Sequence, residues 1–289
     1  MANNPSSAVA KAGPNTGDDT IARLLMRHAA ESANDIALRE NDRGIWREGT
    51  WSAYAEEVLC CAAGFMALGV KPGDAVIILG DNRVRLYAGM TAMSMLRAHA
   101  MPAYPGATLD ELKHFCEEAH VVAALVEDQE QVDKILDLRD AGTSVASIVY
   151  DEVRGLNPYD TLGLQSWVNL LEAGAKKLSV DPDLRLRLIE GSKPDDPAVF
   201  MHSSGTTGKP KGIVLSQKNV LSGVRNAYEG GAFDYGEDIL GYLPMAWVGD
   251  FALTVAAAIA FRFTVNVPER QETVQRDMRE VAPSRYPVP

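Results

Sequence analysis

Apolar positions along this chain follow two rhythms, one helical and one strand-like. Ile21, Leu24, Leu25 and His28 recur at helical spacing, which predicts a short helix over 20–28. Ala37-Leu38-Arg39 and 46–50 read as the arms of a hairpin turning through Asn41-Asp42-Arg43-Gly44. Ser52 is expected to cap a helix whose apolar face is Tyr54, Val58, Cys61, Phe65 and Leu68. Gly69 stops that helix, and Lys71-Pro72-Gly73-Asp74 is a turn. Ala75–Leu79 is apolar without a break, the pattern of a strand buried on both faces.

From there the two rhythms alternate. Helix is expected over 82–96, strand over 98–103, helix from 108, strand over 121–126, helix over 129–139 and strand over 145–150. Thr108 with Glu111 forms a capping box ahead of Leu109, Leu112, Phe115 and Ala119. Alternation of this kind implies right-handed βαβ units and a mostly parallel sheet. Glycines and prolines then punctuate 151–196 around two short helical segments, 167–172 and 183–190. A second sheet is expected to begin at 198–202 and continue at 212–215, followed by a helix over 218–228. The organisation expected is therefore a disordered tail, 1–19; a first α/β subdomain, 20–150; a connecting region, 151–196; and a partial second α/β subdomain, 197–289.

Composition narrows the function classes. The chain has 289 residues, with 46% hydrophobic and 23% charged. That is a globular composition, with room for about two domains. Lys and Arg number 28 against 39 Asp and Glu, a net charge of −11. This excess argues against nucleic-acid partners, which need a cationic face. A small anion held by backbone N–H groups remains compatible. Cys60, Cys61 and Cys116 show neither disulfide nor metal spacing. Adjacent Cys60 and Cys61 read as small buried residues. The scattered His28, His99, His114 and His120 read as solvated or satisfied side chains, so no metal site is expected. The apolar stretch 251–261 is about half a membrane span and predicts a buried helix. With no leader segment visible, the expected location is cytoplasmic, peripheral membrane contact staying open.

The chemistry is concentrated in Ser203-Ser204-Gly205-Thr206-Thr207-Gly208-Lys209-Pro210-Lys211-Gly212. Glycines let backbone N–H groups turn inward, hydroxyls add donors and lysines add charge, which is what a phosphate cradle needs. It is not a Walker A loop, because Ser203 stands at the first Gly position and Pro210 follows Lys209. The stretch resembles the signature loop of the adenylate-forming superfamily (acyl-CoA synthetases, luciferases and peptide-synthetase adenylation domains). His202 stands where that family more often has Tyr. The segment 68–79 resembles the one that enters the family's first sheet, and Gly44-Ile45-Trp46 with Thr50-Trp51, and 242–250, are similar to the long-chain acyl-CoA synthetase branch.

The resemblance implies the fold, doubly wound and mostly parallel α/β sheets of the family's large N-terminal domain, with the second sheet incomplete. It also implies the reaction. A carboxylate attacks the α-phosphate of ATP, and CoA thiol then displaces AMP from the acyl-adenylate. Ser203, Ser204, Gly205, Thr206, Thr207, Gly208, Lys209 and Lys211 would bind the phosphates. Trp247 and Gly249 would lie near the acyl pocket. Trp247 replaces a frequent His, and the usual burial of Trp predicts a core position for it. Gln217 also replaces a frequent His and reads as no more than a helix start. ATP, Mg²⁺, CoA and a fatty acid are the expected small molecules. The family's Mg²⁺-binding Glu, ribose-binding Asp, and C-terminal domain with a catalytic Lys have no counterpart in this chain. No catalytic residue is therefore assigned, and weak nucleotide binding with no measurable ligase activity is expected of the chain alone. A stop, a frameshift or a cut would explain the end at Pro289, and a separately encoded C-terminal half is one way to complete the enzyme. The competing reading is a non-catalytic nucleotide-binding or regulatory protein derived from the same fold.

Overall fold

The computed structural model describes residues 19–157, 159, 163–203 and 211–286. The tail 1–18 lies outside them, whereas Asp19 is buried and pairs with Arg27 at 3.1 Å. Helix α1 (Ile21–Glu31) starts at Thr20, whose hydroxyl accepts the Arg23 N–H. Strands β1 (Ile36–Asp42) and β2 (Ile45–Thr50) form the expected antiparallel hairpin, with Arg43 and Gly44 both at positive φ in the turn.

Helix α2 (Trp51–Ala67) corrects the expected cap. Thr50 accepts the Ala53 N–H, while the Ser52 hydroxyl donates to the Ala33 carbonyl at 2.8 Å. Then follow β3 (Ala75–Leu79), α3 (Val84–Leu96), β4 (His99–Ala103), α4 (Leu109–Ala119), β5 (Val121–Val126), α5 (Gln129–Asp140), β6 (Ser147–Tyr150) and β7 (Leu164–Ser166). The Thr108–Glu111 capping box is present. β3 has the bounds its apolar run predicts, because every one of its residues is buried. Val76 and Ile78 face a core that includes Trp51, Phe65 and Leu86. Ala75, Ile77 and Leu79 face the other, with Leu112, Phe115, Val132 and Ile135. One sheet thus carries helices on both faces.

Helix α6 (Trp167–Val180) is longer than the segment expected at 167–172. Gly174 reads as punctuation but lies inside it. A Cβ there would come 1.8 Å from the Cys60 carbonyl oxygen, so glycine is what lets α6 lie against α2. Helix α7 (Leu184–Glu190) then returns the chain to the open side of β4.

The second-sheet expectation needs correction here. Strand β8 (Pro197–Ser203) pairs in parallel with β4, through Ala100 and Val199, and β9 (Lys211–Ser216) pairs antiparallel with β8. Both belong to the first sheet, whose order is β7-β6-β5-β3-β4-β8-β9. Helix α8 (Gln217–Glu229) follows. The second sheet is made by β10 (Asp238–Leu240) and β11 (Thr264–Val267) together with the N-terminal hairpin, in the order β10-β11-β1-β2. The apolar stretch 251–261 is a buried π-helix, Phe251–Ala257, running into the α-helical turn Ala258–Phe261. Among the described residues no helix is long and apolar enough to cross a membrane.

Candidate functional site

The carboxyl ends of parallel strands are where open α/β sheets bind ligands. At that end of β8 stands Ser203, paired across the ladder with Lys211. Ser203 donates its hydroxyl hydrogen to the Lys211 carbonyl at 3.4 Å, and Lys211 is exposed. Ser204, Gly205, Thr206, Thr207, Gly208 and Lys209 lie outside the described residues. What is described is the pair of strands between which they run.

That strand pair is anchored to α4. The Gly212 N–H donates to Glu118 Oε1 at 3.1 Å. His202, opposite Gly212 in the ladder, stacks on Phe115 with ring centroids 3.7 Å apart. Its Nε2 lies 3.4 Å from the other Glu118 oxygen. Burial lowers the His202 pKa, against the opposing pull of Glu118. A Cβ on Gly212 would fall 2.3 Å from the Phe200 ring, so this glycine is required by the packing beneath it.

A second group of residues lies just past the carboxyl end of β3. Asn82 Nδ2 donates to the Tyr87 hydroxyl at 2.6 Å, to the Leu243 carbonyl at 2.8 Å and to Asp250 Oδ1 at 3.3 Å. Tyr87 donates to the Asp250 carboxyl at 3.0 and 3.1 Å. Thr254 donates to the Asp250 carbonyl at 2.7 Å. Gln271 Nε2 reaches Asn82 Oδ1 at 3.2 Å. Asp250 is only 1% exposed, and burial pushes its pKa up to about 8. Among the described residues no cation faces it to favour the charged form.

Trp247 and Gly249 sit directly above this group, in the turn that leads to Asp250. Trp247 is 44% exposed and the neighbouring Val248 52%, so the core position expected for Trp247 is corrected. The turn closes on its own backbone, with Trp247 N donating to the Pro244 carbonyl at 2.9 Å. That leaves the indole on the surface. A Cβ on Gly249 would meet only Leu243 Cδ1, at an ordinary 3.7 Å. Ser203 and Lys211 thus have surroundings separate from those of Trp247 and Gly249, both pairs lying toward the carboxyl edge of the first sheet.

Three residues with clear structural work escaped the sequence reading. Asp250 lies inside the quoted 242–250 stretch, but one Asp among apolar residues gives no sign of burial. Glu118 looks like a solvated residue at a helix end. Gln217 is fully buried, not merely a helix start: its Oε1 accepts the Ile21 N–H at 3.0 Å, and its Nε2 donates to Ser94 O at 3.1 Å and Ser192 Oγ at 2.7 Å. Of the scattered histidines, His28 is buried and bonded to the Ile259 carbonyl at 2.8 Å. Cys60, Cys61 and Cys116 are buried free thiols, and burial raises all three pKa values.

Other clefts fit a nucleotide less well. One of about 540 Å³ beside the end of β5 is lined by Asp128, Glu130, Asp133 and Glu152 against the single cation Arg154. Its charge would repel a phosphate chain. Among the described residues no three His, Cys, Asp or Glu side chains converge on one point.

Known proteins resemble this chain in sequence and in fold. A long-chain-fatty-acid–CoA ligase of Mycobacterium tuberculosis is 26% identical over 241 residues, which is 83% of this chain and 38% of that protein. Its counterpart in Xenopus laevis is 25% identical over 79% of this chain and 31% of its own length. This chain therefore spans about a third of the length of these relatives. The luciferase-like enzyme of the mealworm Zophobas morio superposes with a TM-score of 0.76 at 19% identity, over 94% of this chain and 60% of that one. The fold is thus the α/β fold with two mostly parallel sheets found in that enzyme. The profile of the family described as AMP-binding enzyme matches residues 25–285. With nearly the whole chain inside that profile, the protein belongs to the AMP-binding enzyme family.

Proposed function

We propose that this chain is the N-terminal part of an ATP-dependent, AMP-forming long-chain acyl-CoA ligase. The observation that carries the reading is the Ser203–Lys211 strand pair, opening at the carboxyl end of the parallel sheet and bearing the Ser-Ser-Gly-Thr-Thr-Gly-Lys-Pro-Lys-Gly sequence. In this reading Ser203, Ser204, Gly205, Thr206, Thr207 and Gly208 surround the β- and γ-phosphates of ATP. Lys209 and Lys211 bring positive charge to the pyrophosphate leaving group. Fixed donors and charges of this kind stabilise a leaving group without reorganising as the reaction proceeds. Trp247 and Gly249 border the space for the fatty acid. The acid's carboxylate oxygen bonds to the α-phosphorus as the bond to pyrophosphate breaks. CoA thiol then takes the acyl group and releases AMP. No step is drawn through magnesium.

Calorimetric titration of the purified chain with inorganic pyrophosphate tests the phosphate assignment. Binding is expected, weakened roughly tenfold in Lys211→Ala, the effect of losing one charge-assisted hydrogen bond of about 1.5 kcal/mol. Undetectable binding by the parent chain, or equal binding by the variant, would overturn the assignment. Assays for thioester formation from palmitate, ATP and CoA then read the whole reaction.

A further inference from the structure

Leu243 and Asp250 bracket the turn that carries Trp247 and Val248, and both are held by one buried group. Asn82 donates to the Leu243 carbonyl at the start of the turn and to the Asp250 carboxyl at its end. Tyr87, from α3, grips the same carboxyl. Gly241, just before the turn, leaves the space for this: a Cβ there would come 3.0 Å from Thr254 and 3.4 Å from the Tyr87 hydroxyl. The short α-helical turn Val248–Asp250 widens immediately after Asp250 into a π-helix, a feature that recurs at functional sites. The Thr254 hydroxyl occupies the Asp250 carbonyl there.

We propose that Asp250 is a positioning residue, which with Asn82 and Tyr87 clamps both ends of this turn so that Trp247 and Val248 stand as a fixed apolar wall for the acyl chain. The acyl ligand rests on the function proposed above; the clamp does not. A clamp made of buried polar atoms specifies one geometry only while every atom is paired. Burial raises the Asp250 pKa, and among the described residues no cation lowers it, so the carboxyl takes up a proton near neutral pH. The groups facing it are Tyr87 from α3, Thr254 from the π-helix and Asn82 from the turn after β3. Tyr87 is itself pushed well above its ordinary value by burial and keeps its hydrogen. The cation nearest in the network, Arg83, holds the Asn82 carbonyl at 2.8 Å and is paired with Glu127 at 2.7 Å. When Asp250 ionises, a buried charge appears with no counter-ion among the described residues, and the clamp loosens.

The test labels the chain with 5-fluorotryptophan. Its four tryptophans are Trp46, Trp51, Trp167 and Trp247, and Trp247→Phe assigns the fourth ¹⁹F signal. The Trp247 line is expected to be narrow at neutral pH and to shift and broaden as pH rises through about 8. In Asp250→Asn it should stay narrow across that range. In Asp250→Ala it should be broad at every pH, while the lines of buried Trp51 and Trp167 keep their places and report an intact fold. An unchanged Trp247 line in Asp250→Ala would overturn the clamp. So would a pH transition that persists in Asp250→Asn, which decides the matter even if the alanine variant fails to fold. Palmitate titration then separates the two readings. A roughly tenfold loss of affinity in Asp250→Ala, restored in Asp250→Asn, is the expected result. Equal affinity in both would refute the clamp's role toward the acyl chain. No binding to the parent chain, with the ¹⁹F pattern as expected, would remove the acyl ligand and leave the clamp standing.

Discussion

Asp250→Asn offers a quantitative check on the electrostatics of this fold. Burial raises the Asp250 pKa from 3.8 to about 8. Between those values the folded chain holds a proton that the unfolded chain has released. Folding is then coupled to proton uptake, and stability falls as pH rises. The contribution is fully present below the unfolded value, is lost progressively up to the folded one, and is flat above it. The slope inside the window is about 1.4 kcal/mol per pH unit, whatever the folded value is, provided both pKa values lie outside the range measured. Asparagine has the same shape and no charge to lose.

The comparison is therefore of slopes. Between about pH 5.5 and pH 7 the parent chain should lose about 2 kcal/mol relative to Asp250→Asn. Other groups titrate nearby. Burial, and then the charge of Asp151, raise Glu40 to about 7, and burial lowers His28, His99 and His202. They do so in both proteins, and among the described residues no charged side chain perturbs Asp250, so their effects largely cancel in the difference. Urea unfolding at several pH values, followed by circular dichroism, measures it. Parallel curves for the two proteins would refute the reasoning, because they would mean that Asp250 is ionised in the folded chain.

Two further substitutions probe the packing that holds the site. Gly174→Ala sets a methyl against the Cys60 carbonyl across the α2–α6 contact and should destabilise by about 2–3 kcal/mol; Gly223→Ala, in α8 with nothing within 4 Å, should stabilise by about 0.5–1 kcal/mol, and equal urea midpoints would refute this. Gln217→Ala leaves the Ile21 N–H without its buried partner, while the Ser94 carbonyl keeps the Ser192 hydroxyl, and should cost about 2 kcal/mol by the same measurement, whereas a change near zero would mean that water replaces the amide.

The fold class was legible because βαβ alternation is a pattern of periods, and periods survive in sequence. Ala75–Leu79 is the clearest case: burial on both faces requires five apolar residues in a row. Sheet membership is not a pattern of periods. β8 looks the same whether it borders β4 or opens a new sheet, and only the path of α6 and α7 decides it. The N-terminal hairpin likewise carries no sign that it will lie beside β11, more than two hundred residues away in sequence. Of the candidate site, the composition of 203–212 was readable and so was the importance of 242–250. The exposure of Trp247 was not, because average burial says nothing of a residue lifted onto a turn. Asp250 and Gln217 were missed for one reason. A buried polar residue is identified by its partners, and those of Gln217 come from Ile21, Ser94 and Ser192.

The two halves of the candidate site share one physical reference. Asn82 follows β3, Ser203 ends β8, and β4 alone lies between those two parallel strands. Two steps of strand spacing separate the strands by about 10 Å. An adenylating enzyme has to bring a carboxylate and a triphosphate together to within bonding distance, so it gains from mounting both on one rigid frame. The clamp on the 244–249 turn reaches that frame through Asn82 and Tyr87. The 203–211 strand pair reaches it through the β4–β8 pairing, with Glu118 bracing its outer strand. Neither connection passes through the second sheet, which meets the clamp by way of Gln271 and the chain beyond β10. Sequence change in the second sheet can therefore reshape the acyl side while the phosphate side keeps its place.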